Sequence, residues 1–212
     1  MTKKRKPLSL VLLVALGSCA GSAVLAQQPH KTLRDRAKGK GGGVVWRYRA
    51  SRSLIYPNIE ELAKRSDLIL VGRTLGHRTA LRGDGKFLTN DFLVRVQSVL
   101  KGEVAGGSSV LISVPGGAYA FPDGNYAALL PANFKEAEDG HVYIFFLKAK
   151  QQKSAFKGHT LVSETQGLFE LKDGKIEPAD YASSDPIVKK YRGLEAPKFL
   201  TKIRAAVPRK AK

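Results

Sequence analysis

Ser66-Asp67-Leu68-Ile69-Leu70-Val71-Gly72 opens a stretch that continues through a polar tip, Gly83-Asp84-Gly85-Lys86. It returns as Phe92-Leu93-Val94-Arg95-Val96-Gln97-Ser98-Val99-Leu100 before Lys101-Gly102. Two apolar, β-branched runs on either side of a glycine-rich tip predict a long antiparallel ribbon. Asp84-Gly85 is a favoured two-residue hairpin centre, because a type I′ turn needs positive φ at both central positions. With that turn, His77 faces Phe92, Leu75 faces Val94, Ile69 faces Leu100, and Arg78 faces Asp91. Apolar pairs then share one face, with one opposite-charge pair beside them. Gly76 is a candidate bulge that would shift the lower half of the ribbon by one residue. The opening run Leu68-Ile69-Leu70-Val71 is apolar on both faces, which implies cover from both sides.

Outward from the ribbon, the alternation of Val110, Ile112 and Val114 predicts a third strand over 108–114, ended by Pro115-Gly116-Gly117. His141-Val142-Tyr143-Ile144-Phe145-Phe146-Leu147 is the most apolar strand and the expected centre of the core. Strands over 159–163 and 168–171 follow, then the turn Lys172-Asp173-Gly174-Lys175 leading into Ile176. Between the third strand and the apolar one, residues 118–140 are too long for an ordinary connection, so they form a functional loop or a flap with its own packing. Pro57 to Arg65 reads as a short helix with acids in its first turn and bases in its last. Asp185-Pro186 starts a helical turn, and Pro197 starts a helix with Phe199, Leu200, Ile203, Ala206 and Val207 in one stripe. Basic residues Lys198, Lys202 and Arg204 surround that stripe, so it is either a packing helix or a membrane-surface helix, and the need to cover the strands favours packing.

The sequence of 212 residues carries a formal net charge of +18 at pH 7, but unevenly. The body over 66–180 has thirteen basic and thirteen acidic residues, so the whole excess lies in the flanks. A groove-binding nucleic-acid domain would carry its basic patch on the folded body, which argues against that class. Lys3, Lys4, Arg5 and Lys6 precede a short apolar run from Leu8 to Leu16, and Val24-Leu25-Ala26 offers a small-residue cleavage site, so the chain is expected to be exported. The one cysteine, Cys19, sits in Leu16-Gly17-Ser18-Cys19, which also fits a lipidation site. Whichever cut is used, the mature chain has no disulfide and depends on core packing. The expected organisation is a signal peptide over 1–26, a basic disordered linker over 27–53, a β-domain over 54–180, and a helical segment with a basic tail over 181–212. Val44-Val45-Trp46-Arg47-Tyr48-Arg49 alternates like a short strand of unknown pairing. Its Trp46 and Tyr48 read best as anchors of the linker on the domain, the alternative being a basic aromatic patch.

The histidines His30, His77, His141 and His159 have no ligand-like spacing, so no metal is expected, and no sequence motif implies a cofactor. Asp123, Glu136, Glu138 and Asp139 cluster in the long segment without matching a calcium loop, and read as a solvated loop. The binding candidates are Arg78, Arg82 and Lys86 at the ribbon tip, with Gly116, Gly117, Tyr119 and Phe121 after the third strand. The Gly116-Gly117 pair would offer backbone N–H groups to an anion, or is a plain turn.

The run Leu62-Ala63-Lys64-Arg65-Ser66-Asp67-Leu68-Ile69-Leu70-Val71-Gly72, then Val96 to Val99-Leu100-Lys101-Gly102, then Val110 to Val114, and the later Val142-Tyr143-Ile144-Phe145-Phe146-Leu147 resemble a loose group of exported bacterial proteins of unknown function. That group is similar in turn to the OB-like barrel of the netrin and metalloproteinase-inhibitor type, over roughly residues 59–177. The resemblance implies a mainly β fold, an OB-like antiparallel barrel of five to six strands, flanked by a short N-terminal helix and a C-terminal amphipathic helix. The inhibitors chelate a protease metal through an N-terminal cysteine in a disulfide framework; this sequence has neither, and no functional residue carries over. The expected role is a non-catalytic binding or structural module of the cell envelope, with an envelope protein or an anionic polymer as partner. A polyanion or membrane-surface binder acting through the basic tails is the alternative, and a hydrolase using the 118–140 carboxylates the third.

Overall fold

The computed structural model describes residues 31–49, 55–149, 158–181 and 184–207. The expected signal peptide with Cys19, and His30, lie outside them. Helix α1 (Leu33–Lys38) and strand β1 (Gly43–Tyr48) precede helix α2 (Ile59–Arg65). The ribbon is β2 (Leu68–Arg82) with β3 (Phe87–Lys101), followed by β4 (Ser109–Pro115), β5 (Gly117–Ala120) and β6 (Tyr126–Pro131). Then come β7 (Val142–Lys148), β8 (Thr160–Leu161), β9 (Leu168–Lys172), β10 (Lys175–Pro178), and helices α3 (Pro186–Tyr191) and α4 (Ala196–Ala206).

The ribbon forms as its residues predict, with one systematic correction. Asp84 and Gly85 have φ of 53° and 82°, and Lys86 N–H donates to the Gly83 carbonyl at 3.2 Å, as a type I′ centre requires. His77 opposes Phe92 and Arg78 opposes Asp91. Below them Thr74, not Leu75, faces Val94, because Leu75 is the extra residue of a bulge ending at Gly76. Two further shifts bring Ile69 opposite Lys101 rather than Leu100. Each bulge adds twist, and the ribbon can then curl across its neighbours instead of lying flat.

The larger sheet runs β10-β9-β7-β2-β3-β4, with β8 on β7. Its inner face gathers Leu68, Leu70, Phe92, Val94, Val110, Ile112, Phe145 and Leu147 into one cluster. Its outer face buries Ile69, Val71, Ile144, Phe146 and Phe169 against Ile59 and Leu62 of α2, Ile187 of α3, and Phe199 and Ile203 of α4. The two-faced apolar run therefore has cover on both sides, and α4 is a packing helix. The expected barrel is not closed: the ladders end at β10 and β4. A single parallel bridge approaches closure, where Ser113 N–H donates to His159 C=O and His159 N–H to Leu111 C=O, both at 2.8 Å. One isolated bridge joins backbones there because β8 is only two residues long.

A three-stranded sheet, β1-β6-β5, covers the ribbon tip, with β1 parallel to β6. The described part of the supposed linker is thus regular structure. Thr32 and Asp35 form a capping box, and Leu33 and Ala37, one turn apart, pack with Leu88, Phe121 and Ala127. Leu33 N–H donates to Gly85 C=O at 2.7 Å, tying α1 to the hairpin turn. Trp46 packs against the same cluster, and the Tyr48 hydroxyl donates to Pro115 C=O at 2.8 Å, so both aromatics are anchors. The long segment is a flap, since β5 and β6 lie within it. In the larger fold, the chain is mainly β with helices on one sheet face.

Candidate functional site

The residues between β6 and β7 bring the titratable side chains together. On one side Lys135 N–H donates to Ala179 C=O at 2.8 Å, and Tyr181 N–H to Asn133 C=O at 3.1 Å. On the other, Gly140 N–H donates to Thr74 C=O at 2.8 Å, and the Thr74 hydroxyl donates to Glu138 C=O. A segment pinned at both edges holds its side chains in fixed positions over the sheet.

Beneath it lies a cleft of about 540 Å³, lined among others by Lys135, Glu136, Tyr143, Glu170, Tyr181 and Arg192. Glu170 stands opposite Tyr143 on β7 and is buried, an acid at an inward position of an apolar strand. Its carboxylate accepts from His141 Nδ1 at 2.6 Å and from Lys135 Nζ at 3.2 Å. Lys135 Nζ also reaches Glu138 at 3.1 Å, and Glu138 N–H donates to the Tyr143 hydroxyl at 2.8 Å. Burial alone would raise the Glu170 carboxyl, but the hydrogen bonds from His141 and Lys135 outweigh it and hold it below the ordinary range. Burial raises the Tyr143 hydroxyl.

A second polar group abuts the first. The Thr79 hydroxyl donates to Asn90 Oδ1 at 2.8 Å, and Asn90 Nδ2 donates to Glu136 Oε1 at 3.2 Å. Burial pushes the Glu136 carboxyl upward, partly opposed by Asn90 and by the charge of His77. Gly116 and Gly117 have φ of 136° and 105° and sit where a Cβ would meet Glu136 Oε1 at 2.4 Å and Asn90 Oδ1 at 2.2 Å. Their role in the fold is close approach: the flap backbone lies directly on these side chains.

The other candidates are scattered. Tyr119 packs its ring on Phe121 at 5.2 Å, and Phe121 is buried in the small core under α1. Arg82 turns inward and donates to Asp91, so it is not an outward tip residue. Arg78 and Lys86 remain exposed. The acid cluster is dispersed: Asp123 pairs with Arg34 at 2.8 Å, Asp139 with His77 at 2.9 Å, and Glu138 with Lys135. Hydrogen bonds from Asn125, then Arg34, hold the Asp123 carboxyl well below the usual range. Among the described residues no group of three His, Cys, Asp or Glu is placed to hold a metal ion. Lys135, His141, Glu170, Tyr181 and Arg192 were not singled out as site residues; the available signal was a lone acid, Glu170, in phase with inward Leu168.

Because its folded value is depressed, Glu170 stabilises the fold above its unfolded value near 4.5, and that contribution is lost as pH falls through the folded value. Glu170→Gln is therefore expected to be less stable than the native chain at neutral pH, with the difference shrinking in acid. Thermal unfolding followed from neutral pH downward reads this; a difference that grows in acid contradicts the pairing.

No protein-family model matches this chain, and no curated protein matches it in sequence.

Proposed function

We propose that the chain is an exported, non-catalytic binding module of the cell envelope with an OB-like β-fold, and that it takes a small polar ligand in the cleft beside the β9–β10 hairpin. The OB-like reading is supported by the curl of β2, β3, β4 and β7 around one inner cluster and by the Ile112–His159 bridge beside β8. Export is supported by the basic and apolar opening of the sequence. The observation that carries the binding role is Glu170, kept charged by both Lys135 and His141 on the cleft wall. A carboxylate so tied is a scaffold for the cleft and a poor proton carrier.

The rim gives the ligand its chemistry. Lys172 and Lys175 stand directly opposite each other across the turn at Asp173-Gly174, and exposed Tyr181 and Arg192 complete the wall. Two lysines held side by side favour a carboxylate, and a half-exposed tyrosine offers a flat apolar face. One observation favours the hydrolase reading: Glu136 is a partly buried carboxyl that its surroundings push upward, suited to hold a proton.

Titration of 15N-labelled protein with glucuronate, glucose and short acidic peptides separates these readings. Binding is expected to move the backbone signals of Lys172, Lys175 and Tyr181, and to weaken in Lys172→Gln/Lys175→Gln. Shifts confined to other surfaces overturn the cleft. Turnover of any probe that stops in Glu136→Gln replaces binding with catalysis.

A further inference from the structure

The outward face of the ribbon, beyond the helices, breaks two rules of a solvated sheet. Arg73 stands directly opposite Arg95, and both are exposed. Like charges directly opposed across strands are destabilising. In the next row Leu75, set out by the bulge, is 45 % exposed beside Leu93 at 44 %. Leu93 in turn pairs with partly buried Leu111 on β4, so an apolar stripe crosses three strands. Past the stripe comes Arg78, whose register partner Asp91 is taken by Arg82 and by the Ser113 hydroxyl at 2.7 Å. Arg73 donates only to the Gly140 carbonyl, and none of the three arginines has a carboxylate partner among the described residues. A leucine stripe thus lies between uncompensated arginines on both sides.

The geometry points to this face as a contact surface for an anionic lipid bilayer. Three features favour a bilayer over an acidic protein segment. The cleft beside the β9–β10 hairpin and the one beside Val99 to Ala105 both open elsewhere, so neither of them grips a side chain on this face. The bulge pushes Leu75 out of the sheet, which suits shallow insertion among headgroups. Guanidinium groups flank the stripe on both sides and match phosphate, for which their forked donors are suited. The charge sits on the folded body, independently of the basic flanks, and the surface is separate from the ligand cleft.

The test is co-sedimentation of the mature chain, tails included, with vesicles of equal parts phosphatidylglycerol and phosphatidylcholine, against phosphatidylcholine alone. The native chain is expected to bind the anionic vesicles and to be released by salt. Each arginine near an anionic surface contributes about a fivefold factor, so Arg78→Gln/Arg95→Gln is expected to weaken binding about 25-fold. The uncharged change Leu75→Ser/Leu93→Ser is expected to weaken it about tenfold or more, as insertion rather than charge alone requires. These are surface positions, and unchanged near-ultraviolet circular dichroism verifies the fold. If both double variants sediment like the native chain, the flanks do the binding and the proposal fails. It fails equally if the native chain ignores the vesicles but binds polyglutamate, which assigns the face to an acidic protein. Neither failure touches the cleft titration, which reads different residues.

Discussion

Asp91→Ala is expected to cost about 3–5 kcal/mol of folding stability, the cost of breaking a buried ion pair from one side. Asp91 is 2 % exposed, and its carboxylate accepts from Arg82, from Ser113 Oγ at 2.7 Å and from Thr89 Oγ1 at 3.2 Å. Removing it strands a guanidinium whose side chain is 11 % exposed and leaves two hydroxyls without their acceptor. Arg82 Nε already lacks a partner among the described residues, so the guanidinium has little to fall back on. Arg82→Ala strands the carboxylate instead and belongs in the same range. The double change to two apolar residues of similar volume should recover much of the loss, since the desolvation of both charges disappears together. Urea unfolding of the two single variants and of Asp91→Ala/Arg82→Ala closes the cycle, with the apolar replacement measured beside them. Additive losses, or a single-variant cost below about 1 kcal/mol, would mean that the pair behaves as an exposed one.

That pair also marks a limit of the sequence as a guide. Opposing Arg78 and Asp91 is a matter of period and turn type, and both are legible in the order of residues. Which arginine holds Asp91 depends on Ser113, twenty-two residues away, and on how the twisted ribbon aims Arg82. The same division runs through the lower ribbon. Leu68 to Val71 are apolar on both faces, so a shift of one residue changes no visible pattern, and the bulge positions below Gly76 were hidden. In the N-terminal region, lysine, arginine and glycine outweighed a short local signal, Thr32 to Asp35 with Leu33 and Ala37 one turn apart. The turn Lys172 to Lys175, by contrast, is local and legible, with Asp173 and Gly174 at φ of 50° and 74°. The cleft beside it was not legible, because it needs β9, β10 and the 134–143 segment in one place, and only long-range contacts decide that.

Phe199→Ala is expected to cost about 3–5 kcal/mol, as loss of a buried aromatic side chain usually does. Phe199 is fully buried, and its ring lies 5.0 Å from that of Phe169 and 5.1 Å from that of Tyr191, while Phe169 lies 5.6 Å from Phe146. One side chain thus joins α4 to α3 and to β9, and through Phe169 to β7, so the cavity cannot be filled by moving a single neighbour. The measurement also decides what α4 is for. A helix lying loosely on a membrane surface would lose little stability in solution from this change, whereas a helix that roofs β7 and β9 loses the full amount. The lysines on its outer side supply the contrast: among the described residues Lys198 pairs with Glu195, in an exposed contact at 2.9 Å. Lys198→Ala should therefore stay within about 0.5 kcal/mol of the native chain. Tyr191 gives a sharper control within the same cluster. Its hydroxyl is buried with no hydrogen-bond partner among the described residues, so Tyr191→Phe removes an unsatisfied polar atom while keeping the ring against Phe199. That variant should match or exceed native stability, and amide exchange across α4 should slow or stay unchanged. If Tyr191→Phe costs as much as Phe199→Ala, the hydroxyl is holding something that packing alone does not explain, and the helical roof is not a purely apolar joint.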